Sequence, residues 1–232
     1  MDWFKRKNKQ YFSYDHDIHS HILPGLDDGV KRVEDSVVIV KKMLELGVKQ
    51  FSFTPHISFP SPMNTPEIIL EKLNELKERL LKEKIEIEAD AGAEYKIGEY
   101  MIDLIRQGNI ASFHGGKVLV EHSFVAPSPA FEEVIFRLQD KGYTPVLAHP
   151  ERYPFYAKHL TERVWELKRR GCRIQVNLLS FVGFYGKEAM AGAREFLVAR
   201  LIDYFSGDIH SVKQVELLEK FLKSKESEKL LV

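Results

Sequence analysis

Cysteine is almost missing from this chain: Cys172 is the one thiol among 232 residues. That excludes an intramolecular disulfide framework and any Cys-rich zinc module, and it agrees with a reducing, cytoplasmic setting. A cysteine-type phosphatase needs an arginine six positions after its nucleophile, and Leu178 stands there. Cys172 therefore reads as a small buried hydrophobe. Charge of one sign is also lacking, because 34 Lys+Arg face 34 Asp+Glu. A polybasic nucleic-acid binder is not expected. No apolar run approaches the roughly 18 residues of a membrane span, so no membrane insertion is expected. Lys5, Arg6, Lys7 and Lys9 are followed by no apolar segment, which argues against a secretory leader. They read as a solvated arm. Glycine-rich phosphate loops of the Gly-x-Gly-x-x-Gly and Gly-x-x-x-x-Gly-Lys types are absent, which removes support for a nucleotide-binding open sheet.

What is present is a steady alternation of short β-branched or apolar runs with longer amphipathic stretches. Strands are expected at 17–19, 50–54, 85–91, 117–121, 144–148, 173–177 and 201–205. Helices are expected at 33–46, 66–84, 99–107, 129–141, 161–170, 188–200 and 211–224. In the first helix Val33, Val37, Val40 and Leu44 recur at helical steps. Gly47, Gly142 and Gly171 stand where left-handed helix caps would sit. Seven β-then-α units imply a parallel sheet covered on both faces, as a barrel or an open sheet. No linker divides the chain, so residues 1–232 read as one domain, with an arm at 1–14 and a frayed tail at 225–232.

Ionisable residues concentrate at the ends of the strands. Asp17-Ile18-His19-Ser20-His21 closes the first, and residues two apart on a strand point the same way. Asp27-Asp28-Gly29 follows in the loop, and Thr54-Pro55-His56 ends the second strand. Ala93-Glu94-Tyr95, Val120-Glu121-His122, Ala148-His149-Pro150-Glu151-Arg152 and Gly207-Asp208-Ile209-His210 follow the third, fourth, fifth and last. Collecting so many ionisable groups at one end of a sheet is costly unless they bind metal or pair. Imidazole and carboxylate without thiolate suit manganese, iron or zinc. Nine plausible ligands exceed the needs of one ion, so a cluster of two or three is the economical count. Such a cluster activates water and clamps the oxygens of an in-line displacement, which points to hydrolysis of a phosphoester.

The motifs His19-Ser20-His21-Ile22-Leu23-Pro24-Gly25-Leu26-Asp27-Asp28-Gly29, Thr54-Pro55-His56, Gly92-Ala93-Glu94 and His149-Pro150-Glu151-Arg152-Tyr153 resemble the PHP (polymerase and histidinol phosphatase) superfamily. Within it, the chain is similar to the bacterial manganese-dependent protein tyrosine phosphatases of capsular and exopolysaccharide loci, from about Tyr14 to His210. The resemblance implies a distorted (β/α)7 barrel with three metals at the C-terminal face of the strands. His19, His21, Glu94 and Asp208 would hold one metal, Glu94 would bridge to a second completed by Glu121 and His149, and Asp28, His56 and His210 would hold the third. Mn2+ is the metal the resemblance implies, with iron or zinc as alternatives. Arg152 matches an arginine that binds substrate phosphate and counts, with the bridging Glu94, as a catalytic residue. A second family arginine is missing: Val215 stands at its spacing, and the nearby Lys213 is the available cation.

The implied activity is that of a protein-tyrosine-phosphatase acting on the tail of a bacterial tyrosine kinase, with homo-oligomers as an option. A small-molecule phosphatase of the histidinol-phosphate type and a non-catalytic, metal-loaded module that regulates a kinase are the alternatives. Asp17 and Asp27 are candidates to orient a ligand imidazole, or simply turn residues. His122 is expected to face away from the cluster. Tyr95, Tyr153, Phe155 and Tyr156 form either a wall for a phenolic ring or loop packing.

Overall fold

The computed structural model describes residues 14–61, 64–156 and 159–230. The proposed arm, including Lys5 to Lys9, lies outside the described residues except for Tyr14, which is buried. Nine short strands alternate with helices: β1 (His16–Asp17), α1 (Val33–Glu45), β2 (Gln50–Phe53), β3 (His56–Ile57), α2 (Pro66–Lys82), β4 (Glu88–Ala91), β5 (Glu94–Lys96), α3 (Glu99–Gln107), β6 (Lys117–Glu121), α4 (Phe131–Asp140), β7 (Thr144–Leu147), α5 (Leu160–Arg169), β8 (Arg173–Asn177), α6 (Lys187–Val198), β9 (Tyr204–Ser206), α7 (Val212–Leu222) and α8 (Lys225–Leu230). All seven expected helices form. The tail expected to be frayed instead forms α8 over its described part, where Ser227 is buried and its hydroxyl donates to the carbonyls of Leu222 and Ser224.

Local chemistry accounts for the helices. Pro66 begins α2, and the Thr65 hydroxyl accepts the Ile68 N–H as its cap. Gly47, Gly142 and Gly171 all adopt positive φ just after α1, α4 and α5, as expected of left-handed caps. The buried stripe of α1 is Ser36, Val37, Ile39, Val40 and Met43, so the expected Val33 and Leu44 sit at its margins. Ser36 is tolerated there because its hydroxyl donates to the Ile22 carbonyl at 2.6 Å.

All strand pairs are parallel, in the orders β1-β2-β4 and β3-β5-β6-β7-β8-β9. Two of the expected strands are broken and resume. Pro55 has no N–H to give, and the second strand restarts as β3; the third is interrupted at Gly92-Ala93 and restarts as β5. The restart puts His56 and Glu94 directly opposite each other. Backbone bonds then draw the two sheet ends together. Thr54 N–H donates to Ser20 O, Asp208 N–H to His19 O and His21 N–H to Ile209 O. The result is an α/β fold whose parallel sheet curls. Ile18, Phe113, Leu119, Val146 and Ala148 form a small apolar cluster separate from the main core. Leu119 shares a face of β6 with Glu121, so this cluster lies beneath that carboxylate. No helix among the described residues is long and apolar enough to cross a membrane.

Candidate metal centre

Nine side chains from six strand ends meet at one end of the curled sheet. His19 Nε2 lies 3.1 Å from His21 Nε2, 3.1 Å from Glu94 Oε2 and 3.3 Å from Asp208 Oδ1. His21 Nε2 is 3.3 Å from Glu94 Oε2 and 3.4 Å from Asp208 Oδ1. His149 Nε2 is 3.0 Å from Glu94 Oε1 and 3.9 Å from Glu121 Oε2, while His56 Nδ1 is 3.1 Å from Glu94 Oε2 and 3.7 Å from Glu121 Oε1. Asp28 Oδ1 stands 3.5 Å from both His56 Nε2 and His210 Nε2. Four groups are compact enough for one ion each: His19/His21/Asp208, His19/Glu94/His149, His56/Glu94/Glu121 and His21/Asp28/His56/His210. All nine sequence-predicted ligands are thus brought together. Asp28, His56 and His210 lie toward solvent, while the other six are buried.

The tautomers of His19 and His21 decide what the centre of this group can accommodate. His19 Nδ1–H donates to Gln175 Oε1 at 2.9 Å, and His21 Nδ1–H donates to Asp27 Oδ2 at 2.7 Å. With those protons in place, both neutral Nε2 atoms are lone-pair acceptors. They face each other and two carboxylate oxygens at 3.1–3.4 Å. Glu94 Oε2, one of these oxygens, is buried without a hydrogen-bond partner among the described residues. Converging acceptors that lack a donor require a cation, so the side chains fit a bound metal.

Without a metal, protons answer the same need. Burial disfavours charge on His19, yet Glu94 and Asp208 outweigh it and lift the imidazole to about 9. His21 is raised in the same way, with burial again opposed and Asp27 the main support. Burial works against the ionised Glu94 and Asp208, but the imidazoles around them hold both carboxyls well below the ordinary range. Glu121 goes the other way, because burial and the charge on Glu94 both penalise its anion.

A surrounding shell fixes these groups. Asp27 also accepts the backbone N–H of His56 and of Gly29, which makes it the orienting acceptor that was one of its two expected roles. Gly29 is required by close approach, since a Cβ there would meet the His21 carbonyl oxygen at 2.1 Å. Asp17 takes neither expected role: it is a buried residue of β1 whose Oδ1 accepts the Gly207 N–H, tying β1 to the last loop. Asp208 Oδ2 accepts from Asn177 Nδ2 at 2.6 Å, Arg152 Nη1 at 2.8 Å and Tyr185 OH at 3.3 Å, which leaves Oδ1 facing the imidazoles. Asp208 and His149 both hold left-handed backbone, at φ 50° and 34°. Such strain in non-glycine residues concentrates where side-chain placement matters.

Arg152 is packed between two aromatic rings, 4.0 Å from Tyr185 and 4.8 Å from Phe124. Phe124, Gln175 and Asn177 were not anticipated as site residues. The signal for the last two was available: they are polar positions two apart on the one strand that contributes no ionisable ligand. Tyr95, Tyr153 and Tyr156 take the second of their two expected roles, packing. Tyr95 is buried and its hydroxyl accepts the Ala111 N–H. Tyr153 accepts the His122 N–H and donates to Ala148 O, and Tyr156 is hydrogen-bonded to His122 Nε2. His122 accordingly points away from the cluster, as expected. Lys213 is exposed at the rim near His210, whereas Val215 is fully buried in the core and cannot reach a ligand. Cys172 is buried, and its thiol is pushed up to about 12 by burial.

A family model described as "Capsular polysaccharide synthesis, CpsB/CapC" matches residues 15–219. The chain belongs to the CpsB/CapC family. Among the relatives of this CpsB/CapC chain is the tyrosine-protein phosphatase YwqE of Bacillus subtilis (strain 168). It is 32% identical over 198 residues, 85% of this chain and 78% of that protein. The fold matches a solved structure from work on YwqE of Bacillus subtilis and CpsB of Streptococcus pneumoniae, described as unique metal-dependent tyrosine phosphatases. That match has a TM-score of 0.78 and 29% identity, covering 93% of this chain and 90% of the other. A histidinol phosphate phosphatase from Lactococcus lactis, solved with zinc, L-histidinol and phosphate, shares the fold at TM-score 0.52 and 17% identity, over 90% and 93% of the two chains.

Proposed function

We propose that this CpsB/CapC chain is a metal-dependent protein tyrosine phosphatase built as a distorted (β/α)7 barrel with a three-metal cluster at the C-terminal ends of its strands. The observation that carries the reading is the convergence of His19 Nε2, His21 Nε2, Glu94 Oε2 and Asp208 Oδ1, four acceptors within 3.4 Å contacts, beside the guanidinium of Arg152. His19, His21, Glu94 and Asp208 would hold one metal, Glu94, Glu121 and His149 a second, and Asp28, His56 and His210 a third. The mixed imidazole and carboxylate set suits Mn2+, with iron or zinc as alternatives. When bound, the metals supply a strongly acidified water as nucleophile and positive charge for the phosphoryl oxygens.

The chain's own residues do the rest. Asp27 and Gln175 hold the His21 and His19 rings with Nε2 facing inward. Arg152, steadied by Tyr185, Phe124 and Asp208, presents N–H donors to the non-bridging oxygens of the phosphate, whose charge is carried through the transfer. Lys213 offers a point charge at the rim where Val215 cannot. Three divalent ions exceed the charge of the four carboxylates Asp28, Glu94, Glu121 and Asp208 by about two units, so a neutral chain acquires a cationic pocket for a dianion. The substrate is a phosphotyrosine protein, and the capsule-synthesis family points to a bacterial tyrosine kinase.

Reconstitution tests this reading. Metal-stripped protein reloaded with Mn2+, Fe2+ or Zn2+ is assayed on a phosphotyrosine peptide and on histidinol phosphate, with bound metal counted. The expected result is turnover of the peptide in a loaded protein, loss of metal and turnover in His19→Ala and Glu94→Ala, and a lower kcat/KM for histidinol phosphate. A fully loaded protein inactive on phosphotyrosine refutes the substrate assignment.

A further inference from the structure

A cavity of about 540 Å3 opens beside the centre, and its wall residue Phe184 packs on Tyr185 at 4.9 Å between ring centroids. Asp28 and His210 form its inner end, and Phe184, Lys213, Leu217 and Lys220 carry it outward along α7. Lys213, Leu217 and Lys220 are spaced by four and three residues, which places them in one row on the helix. The two lysines are about 10 Å apart along the axis at a rise of about 1.5 Å per residue. Neither makes a hydrogen bond or ion pair with another described residue. Glu216, the acid on the same wall, lies within electrostatic range of Lys42. Phe184, 45% exposed, stands on the loop before α6 and gives the cavity an apolar side. The lining thus joins Asp28 and His210 of the candidate centre, the apolar Phe184 and Leu217, and two lysines around one cavity.

Free phosphate held at Lys213 ends well short of Lys220, about 10 Å further along the helix. An extended polypeptide covers about 10 Å in three residues. We propose that this cavity is a second anion subsite, in which Lys220 holds an anionic side chain, carboxylate or phosphate, about three residues from the scissile phosphotyrosine. The assignment rests on the phosphotyrosine reading above and adds a sequence preference to it. Lys220 is a specificity residue, remote from the reacting atoms.

Peptides that differ only in the third residue on either side of the phosphotyrosine test it, with Glu, phosphotyrosine, Ala or Lys at that place, alongside 4-nitrophenyl phosphate. On the manganese-loaded protein, one anionic peptide series is expected to exceed its Ala and Lys counterparts in kcat/KM by about 1.5-fold to fivefold, the range of a solvent-exposed charge pair. The preference shrinks as salt is raised. Lys220→Glu reverses the order and leaves 4-nitrophenyl phosphate turnover unchanged. Comparison of the Glu and phosphotyrosine peptides identifies which anion the subsite favours. Equal turnover of all the peptides overturns the subsite while leaving the phosphatase reading intact, as does a Lys220→Glu defect of the same size on the aryl phosphate. A loaded protein inactive on every substrate overturns the phosphatase reading, and the subsite with it.

Discussion

Gln175→Leu removes one side chain that touches no candidate metal position yet governs two ligands. Gln175 Oε1 accepts the His19 Nδ1–H at 2.9 Å and the His149 backbone N–H at 3.2 Å, and its Nε2 donates to Asn177 Oδ1. Leucine fills similar volume but leaves two donors unsatisfied in a fully buried setting. At about 1–3 kcal/mol for each of the two orphaned donors, the metal-free protein should lose roughly 2–6 kcal/mol of stability. For a domain of this size that is a fall in Tm of about 4–24 °C. A separate consequence concerns the metal. His19 loses the acceptor that keeps its proton on Nδ1, so the ring is free to tautomerise or turn, and affinity should drop about 10- to 100-fold. Thermal unfolding of the metal-free protein reads the first effect, and calorimetric titration with Mn2+ on the folded variant reads the second. A folded Gln175→Leu that binds manganese as tightly as the parent would refute the orienting role.

Cys172→Ser should keep full turnover and metal content in a phosphotyrosine assay, because the thiol is buried with its pKa pushed up to about 12 and lies away from the cluster; an inactive, fully loaded variant would overturn the metal mechanism. Glu151 gives a pH test. Burial raises its carboxyl from 4.5 to about 7, against hydrogen bonds from Asn177 N–H and Ser180 Oγ. The folded state therefore keeps a proton that the unfolded chain gives up. This contribution is fully present below about pH 4.5 and is lost as the pH rises to about 7, a total of roughly 3 kcal/mol. Denaturant unfolding of chelator-treated protein should show that decline between about pH 4.5 and pH 7, and Glu151→Gln should flatten it; equal slopes in the two proteins would rule out Glu151 as its source.

The helices and the candidate ligand set were legible because both are written in short-range patterns. Helical periodicity, a glycine after α1, α4 and α5, and a histidine or carboxylate at a strand end all fall within a few residues. The breaks after Phe53 and Ala91 were less visible, since β3 and β5 are held by neighbours across the sheet more than by their own propensity. The roles of the aromatics were not legible either. Tyr95 follows the candidate ligand Glu94 and Tyr153 follows Arg152, but both point their rings into the core, because each hydroxyl finds a backbone partner there.

The sequence by itself determined which chemistry this protein can do: nine imidazoles and carboxylates at strand ends, no reactive thiol and no net charge. Only the tertiary structure decided how those groups act. His19 and Asp208 are 189 positions apart and meet because β1 and the loop after β9 hydrogen-bond to each other. Gln175, invisible as a ligand, sets the tautomer of His19 from a strand 156 residues away. Whether a carboxyl such as Glu94 or Glu121 stays ionised depends on burial and on the charges beside it, and burial is a property of the packed fold.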